Sequence, residues 1–267
     1  LEVQVIINKK NSKVCMCLLI IAYNIHPEFR LIVAANRDEY YSRPTRFLGF
    51  WEENPDILAG KDLKSMGTWL GITRKGRFSA ITNYRDPKAV KEGRPSRGLL
   101  VRRFLESELS PEEYLRSVKE ESLKYNPFNL IVGDLKELWY YSNRADIKRL
   151  EPGLYGLSNH LLDTPWPKVR KAKQRLKKIV EDEKVDVEKI FSILKDRSIP
   201  PDHELPDTGV GYEKERMLAP IFIESPDYGT RSSSVILMGE KVVHFYELNY
   251  IPDSSKEVML EFHILLS

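Results

Sequence analysis

Cysteine is scarce: the 267 residues hold two, Cys15 and Cys17, with one residue between them. No disulfide framework can be built from them and no mutual bridge is expected, so a reducing compartment, the cytoplasm, is the default. Long hydrophobic runs are missing as well. A bilayer span needs about 20 apolar residues, and the apolar run that contains Cys17–Tyr23 falls well short of that. Residues 1–15 carry Lys9, Lys10 and Lys13, but the apolar stretch follows a polar segment without a small-residue cleavage site, so no secretory signal is expected. Nor does one sign of charge dominate. Lys and Arg number 42, Asp and Glu 39, a net charge of +3, which excludes the basic stripe of a dedicated nucleic-acid binder.

Familiar chemical motifs are also lacking. There is no GxGxxG opening a helix, no Walker A loop and no GxSxG elbow. His203-Glu204 has no second histidine to make a zincin, and the five histidines are scattered. Cys15-Met16-Cys17 has no further cysteine and no local histidine to complete a soft-metal site, so no metal is expected.

Enough apolar material is present for a sizeable core: 42% of residues are hydrophobic. Cys17–Tyr23 and Arg30–Ala35 predict two strands joined as a hairpin through Asn24–Pro27. Residues 42–66, punctuated by Pro44 and Pro55, suggest a long irregular stretch. Trp69–Thr73 and Arg77–Thr82 predict a second hairpin about Lys75-Gly76. Gly98–Glu108 has helical spacing. Ser110-Pro111-Glu112-Glu113 is a capping box with proline at the first helical position. Strands are expected at Phe128–Val132, Leu138–Tyr141 and Gly153–Leu157, then helices from Thr164-Pro165 to about Asp182 and over Val187–Lys195. A loop from Pro200 to Glu215 precedes a closing hairpin, Ser232–Met238 and Lys241–Leu248. No linker or repeat interrupts residues 16–250, which favours one α+β domain with helices outside antiparallel sheets. Residues 1–15 and 251–267 fall outside the pattern, as an N-terminal extension and a loosely attached tail.

Chemistry-bearing residues gather at predicted strand ends. If Met16 starts translation and is trimmed, Cys17 becomes N-terminal, combining a thiol and an α-amine that can accept its proton at neutral pH. Taken alone, Cys17 reads first as a buried cysteine beginning a core strand. The hairpin returns Asn36-Arg37-Asp38-Glu39 to its neighbourhood, with Asn36 and Asp38 on one face and Arg37 and Glu39 on the other. Asn83 and Asn159 end two further strands, where an amide N–H can stabilise an oxyanion or simply form a turn. Arg231 precedes another strand, as a surface residue or as a cation that lowers a thiol pKa.

The blocks MCLLIIAY (16–23), LIVAANRDEYYSRPT (31–45), GTWLGI (67–72), GRFSAITNYR (76–85), FNLIVGD (128–134), YGLSNHLLDTPWPKV (155–169) and YGTRSSSVILM (228–238) resemble the NRDE family, also called transport and Golgi organisation protein 2-like proteins. The resemblance covers about residues 16–250. It implies the N-terminal nucleophile (Ntn) hydrolase fold, a four-layer αββα sandwich similar in layout to penicillin V acylases and bile salt hydrolases. On that layout Cys17 matches the nucleophile, Asp38 the carboxylate near it, Asn83 and Asn159 the oxyanion positions and Arg231 the late arginine, with Asn36, Arg37 and Trp69 as supporting candidates. One departure stands out: those acylases carry arginine three residues before the aspartate, and here that residue is Ala35. Residues 1–15 are another departure, since an attached extension leaves Cys17 without a free amine. A mis-assigned start or a cleaved propeptide would account for it.

Two functions follow from the resemblance. One is an amidohydrolase that cleaves a non-peptide C–N bond of a small acylated substrate, without a cofactor. The other is a non-catalytic haem or lipid/acyl-CoA binding and trafficking protein on the same fold, with His26 and His244 as conceivable haem ligands.

Overall fold

The computed structural model describes residues 16–251 and 256–266, so the segment 1–15, with Cys15, lies outside the described residues. β1 (Met16–Tyr23) and β2 (Leu31–Tyr40) form the expected hairpin, with Cys17 opposite Arg37 and Tyr23 opposite Leu31. Asn24, at φ 49°, turns the chain between them in the left-handed region that asparagine tolerates. The unbroken apolar run of β1 reflects cover on both faces. Leu19, Ile21 and Tyr23 join the core between the sheets, while Leu18, Ile20 and Ala22 meet helices.

The first sheet has six antiparallel strands in the order β10-β1-β2-β11-β12-β13, where β10 is Gly153–Leu157, β11 Tyr228–Met238, β12 Val242–Tyr250 and β13 Glu257–Leu265. The second has seven in chain order: β3 (Thr45–Phe50), β4 (Ile57–Asp62), β5 (Leu70–Thr73), β6 (Phe78–Asn83), β7 (Phe128–Gly133), β8 (Leu138–Ser142) and β9 (Ala145–Arg149). The two sheets pack face to face through Leu19, Val33, Leu58, Ile72, Phe78, Ile131 and Phe245.

α1 (Gly98–Glu106) and α2 (Pro111–Glu121) cover the outside of the second sheet. α3 (Pro167–Val180) and α4 (Val187–Leu194) cover the outside of the first. The layers therefore run helix, sheet, sheet, helix, the αββα order that the sequence resemblance implies. The Ser110 capping box forms as expected, its hydroxyl accepting from the Glu113 N–H and the Glu113 carboxylate accepting from the Ser110 N–H. No helix among the described residues is long and apolar enough to cross a membrane.

Four segments differ from the sequence reading. Residues 42–66 hold β3 and β4 instead of an irregular stretch. Pro44 and Pro55 stand just outside these strands, where a missing N–H costs no ladder bond. β3 is also bulged between Arg46 and Gly49, which blurs its period-two pattern. The short strand β9 pairs with β8 in a segment to which the sequence reading assigns no element. The Pro200–Glu215 loop contains a 3₁₀ turn (Asp202–Glu204) and the start of α5 (Tyr212–Met217). The tail is not loosely attached over residues 257–265: these form β13, paired along β12, with Val258, Leu260, Phe262 and Ile264 turned inward and Glu257, Met259, Glu261, His263 and Leu265 outward.

Candidate active site

At one end of the sandwich the strand ends leave a cavity of about 400 Å³, with Cys17, Arg37, Glu39, Arg43, Trp69 and Asn83 among its lining. Strand alternation selects these residues. The Cys17 side chain continues the row of Leu19 and Ile21 and so faces the second sheet, and Arg37 and Glu39 stand on the same face of β2. Trp69 precedes β5 and Asn83 ends β6, so the second sheet supplies the opposite wall. Part of the rim depends on glycine. A Cβ on Gly67 would lie 2.5 Å from the Gly98 carbonyl carbon, and one on Gly98 would lie 2.8 Å from the Thr68 carbonyl oxygen, so two backbone segments meet there without side chains.

Asp38 occupies the other face of β2. It is fully buried and its Oδ1 accepts from the Thr230 hydroxyl at 2.7 Å. Burial pushes its carboxyl up to about 6, against the lowering pull of the Lys168 cation, the Thr230 hydrogen bond and Arg37. Lys168 was not anticipated. It lies in the first turn of α3, is buried, and its Nζ donates to the Pro220 carbonyl at 3.2 Å. Burial draws its pKa down to about 8, opposed first by the charge of Asp38. Its sequence context, Pro167-Lys168-Val169-Arg170-Lys171, reads as a solvated basic face. The available signal was spacing: 168, 172, 176 and 179 share one side of a 3.6-residue helix, and that side is buried.

Asn83 and Asn159 are linked to each other. The Asn159 Nδ2 donates to the Asn83 carbonyl at 2.8 Å, and the Asn159 carbonyl accepts from the Arg85 N–H at 2.7 Å. Asn83 lines the cavity, whereas Asn159 is buried and does not. The preceding residue, Ser158, joins the two sheets. Its hydroxyl donates to the Cys17 carbonyl at 3.1 Å, and its own carbonyl accepts from the Thr82 hydroxyl at 2.7 Å. Cys17, β10 and β6 are thereby held in one hydrogen-bonded knot.

A family model described as Transport and Golgi organisation 2 matches residues 16–252. The chain belongs to the Transport and Golgi organisation 2 family. The Transport and Golgi organization protein 2 homolog of Bos taurus is 38% identical over 249 residues, covering 84% of this chain and 88% of that protein. Among solved structures, a mutant conjugated bile acid hydrolase from Clostridium perfringens superposes with a TM-score of 0.49 at 11% identity, covering 93% of this chain and 92% of that one. The Caenorhabditis elegans ortholog of N-acylethanolamine-hydrolyzing acid amidase superposes with a TM-score of 0.49 at 12% identity, covering 91% and 100%.

In this member of the Transport and Golgi organisation 2 family the remaining candidates take different places. Arg231 does not line the cavity. Its Nη1 donates to the carbonyls of Tyr40, Tyr41 and Arg43 at 2.9, 3.1 and 3.2 Å, so it holds the turn that forms one cavity wall. A bulge between Thr230 and Ser232 aims it there. Asn36 is turned away from the cavity by alternation. Its Nδ2 donates to the Leu194 and Ile221 carbonyls at 2.8 and 2.9 Å and its Oδ1 accepts from Ser233, tying β2 to the helix layer. Arg37, by contrast, does face the cavity, with its Cζ 4.0 Å from the Trp69 ring centroid. His26 and His244 lie elsewhere and do not line this cavity. Phe29 packs against both rings, and His244 Nδ1 is 2.5 Å from His263 Nδ1.

Proposed function

We propose that the protein is an N-terminal-cysteine amidohydrolase that cleaves a non-peptide C–N amide bond of a small acylated substrate. One observation carries this reading. The Cys17 side chain opens into a cavity that Asn83 also lines, while Asp38 is buried one register position away on the opposite face of the adjoining strand. With its α-amine exposed by processing, Cys17 passes its thiol proton to that amine, and Sγ attacks the amide carbonyl. The Asn83 side-chain amide, fixed from behind by Asn159, donates to the oxyanion. The ammonium then returns its proton to the leaving amine as the C–N bond breaks. Water hydrolyses the remaining thioester, releasing the acid and regenerating the thiol. Asp38 orients the amine, and Arg231 keeps the cavity wall in place. No step requires a metal or an organic cofactor.

The test is made on protein shown by intact mass to begin at Cys17. It is expected to turn over members of an acyl-amide panel. Cys17→Ala should abolish turnover with the fold intact, and Cys17→Ser should leave a weak rate. Protein retaining residues 1–15 should be silent, because a peptide nitrogen cannot serve as the base. Verified protein that turns over no acyl amide, and whose ligand affinity is indifferent to Cys17→Ala, would replace this reading with a non-catalytic binding and trafficking role, in keeping with the transport named for its relatives.

A further inference from the structure

Arg37 is 5% exposed yet lines the cavity that holds Cys17. Its Nη1 donates to the Thr45 hydroxyl at 3.0 Å, and the guanidinium lies against the Trp69 ring at 4.0 Å. Among the described residues, Nε and Nη2 have no hydrogen-bond partner in the protein, and neither is sealed from the cavity. No carboxylate among the described residues comes within ion-pairing distance of this side chain. The two acids of the cavity wall are both taken by another arginine: Arg43 holds Asp62 through Nε and Nη2 at 3.2 and 2.5 Å and lies 3.8 Å from Glu39. Arg97 and the exposed Lys64 add further positive charge to the lining. Glu247, on the same side of the first sheet, has its Oε1 turned to the Leu48 N–H at 2.8 Å. Burial there raises its pKa, against the lowering pull of the Arg37 charge, and it makes no ion pair with Arg37.

A buried guanidinium without a carboxylate is costly in an empty site and becomes favourable when an oxyanion enters. Arginine presents two parallel N–H groups that match a carboxylate, and stacking on an aromatic ring fixes the plane of that fork. Arg37 is also the direct register partner of Cys17, so the fork and the nucleophile stand on adjacent strands roughly 5 Å apart at Cα. We infer that the substrate carries a carboxylate a few bonds from the scissile amide, bound by the Nε/Nη2 edge of Arg37. The substrate class is then an N-acyl amino acid or the half-amide of a dicarboxylic acid. This deepens the hydrolase reading and rests on it for the amide bond, but the anion site is read separately by binding.

Calorimetry on the full chain with three matched ligands tests it. N-decanoylglycine puts the carboxylate on the amine side, N-decylsuccinamate puts it on the acyl side, and N-decanoylethanolamine lacks it. At least one carboxylate ligand should bind tenfold or more tightly than the neutral one, and the tighter of the two identifies the side. Arg37→Met should reduce that preference to within twofold, and Arg37→Lys should retain part of it, with thermal unfolding confirming that each variant is folded. Equal affinity for charged and neutral ligands, no binding of any of the three, or a preference that survives Arg37→Met would overturn the inference. A preference for carboxylate without any turnover by Cys17-terminal protein would discard the hydrolase reading and leave the anion site standing.

Discussion

Asp38 and Lys168 bury opposite charges behind the strand that carries Cys17, and each bears on the cost of the other. The Asp38 carboxyl is raised from 3.8 to about 6. Between those values the unfolded chain has released a proton that the folded chain keeps, so this group makes stability fall as pH rises through the window. Lys168 is lowered from 10.5 to about 8. Between those values the unfolded chain holds a proton that the folded chain has lost, so stability rises with pH there. Near neutrality both are charged and each relies on the other. Lys168→Met should therefore cost about 3–5 kcal/mol by stranding the carboxylate. The same change in an Asp38→Asn background should cost far less, as read by urea denaturation of the four proteins in the cycle. Thermal melts compared between wild type and Asp38→Asn should diverge across pH 4–6 with the sign given above. Parallel curves would mean that Asp38 does not titrate in that window. Little of this was legible in the sequence. The faces of Asn36, Arg37, Asp38 and Glu39 followed from alternation alone, but the partner of Asp38 lies 130 residues away within a basic run that looks solvated.

At the scale of elements, what could be read was what is decided locally. The α2 capping box needs only four consecutive residues, and the helix begins where Ser110 and Pro111 place it. Ser110→Ala removes the acceptor for the Glu113 N–H and should cost about 1 kcal/mol of stability, seen as a lower urea midpoint with an unchanged slope. A neutral result would mean that the exposed Glu113 N–H is satisfied equally well by water. β1 was legible because both of its faces are buried and its run is unbroken. β3 and β4 were not, because their fit depends on neighbours. In β4 both Lys61 and Asp62 are buried: Lys61 pairs with Glu53 beside the Trp51 ring, and Asp62 accepts from Arg43. Charged residues that acquire distant partners look like loop until those partners are in place. β13 shows the converse: its alternation was present in Val258, Leu260, Phe262 and Ile264, but its value as a strand depended on β12 offering an edge.

At the scale of the whole molecule, the candidate site exists only because two sheets end at the same place. Cys17 and Arg37 come from one sheet and Trp69 and Asn83 from the other, with the Ser158–Asn159 segment bridging them. The sequence pointed to Cys17, Arg37, Asn83 and Asn159 as strand ends, while Trp69 came only from the resemblance and Ser158 was not singled out. It could not separate those that face the cavity from those that support it, because that division depends on how the sheets face each other. The geometry makes Asn83 and Asn159 one unit: Asn159 anchors the backbone of Asn83, and Asn83 presents the cavity-facing side chain. If the hydrolase reading holds, Asn83→Ala should lower kcat by about 10²–10³ with little change in KM, as for loss of an oxyanion donor. Asn159→Ala should act through Asn83 and fall within that range. The double variant should then cost no more than the worse single one, because a displaced donor and a missing donor amount to the same loss. Multiplicative losses in kcat would instead mean that each amide reaches the oxyanion independently, and Asn159 would then have to leave the Asn83 carbonyl when substrate is bound.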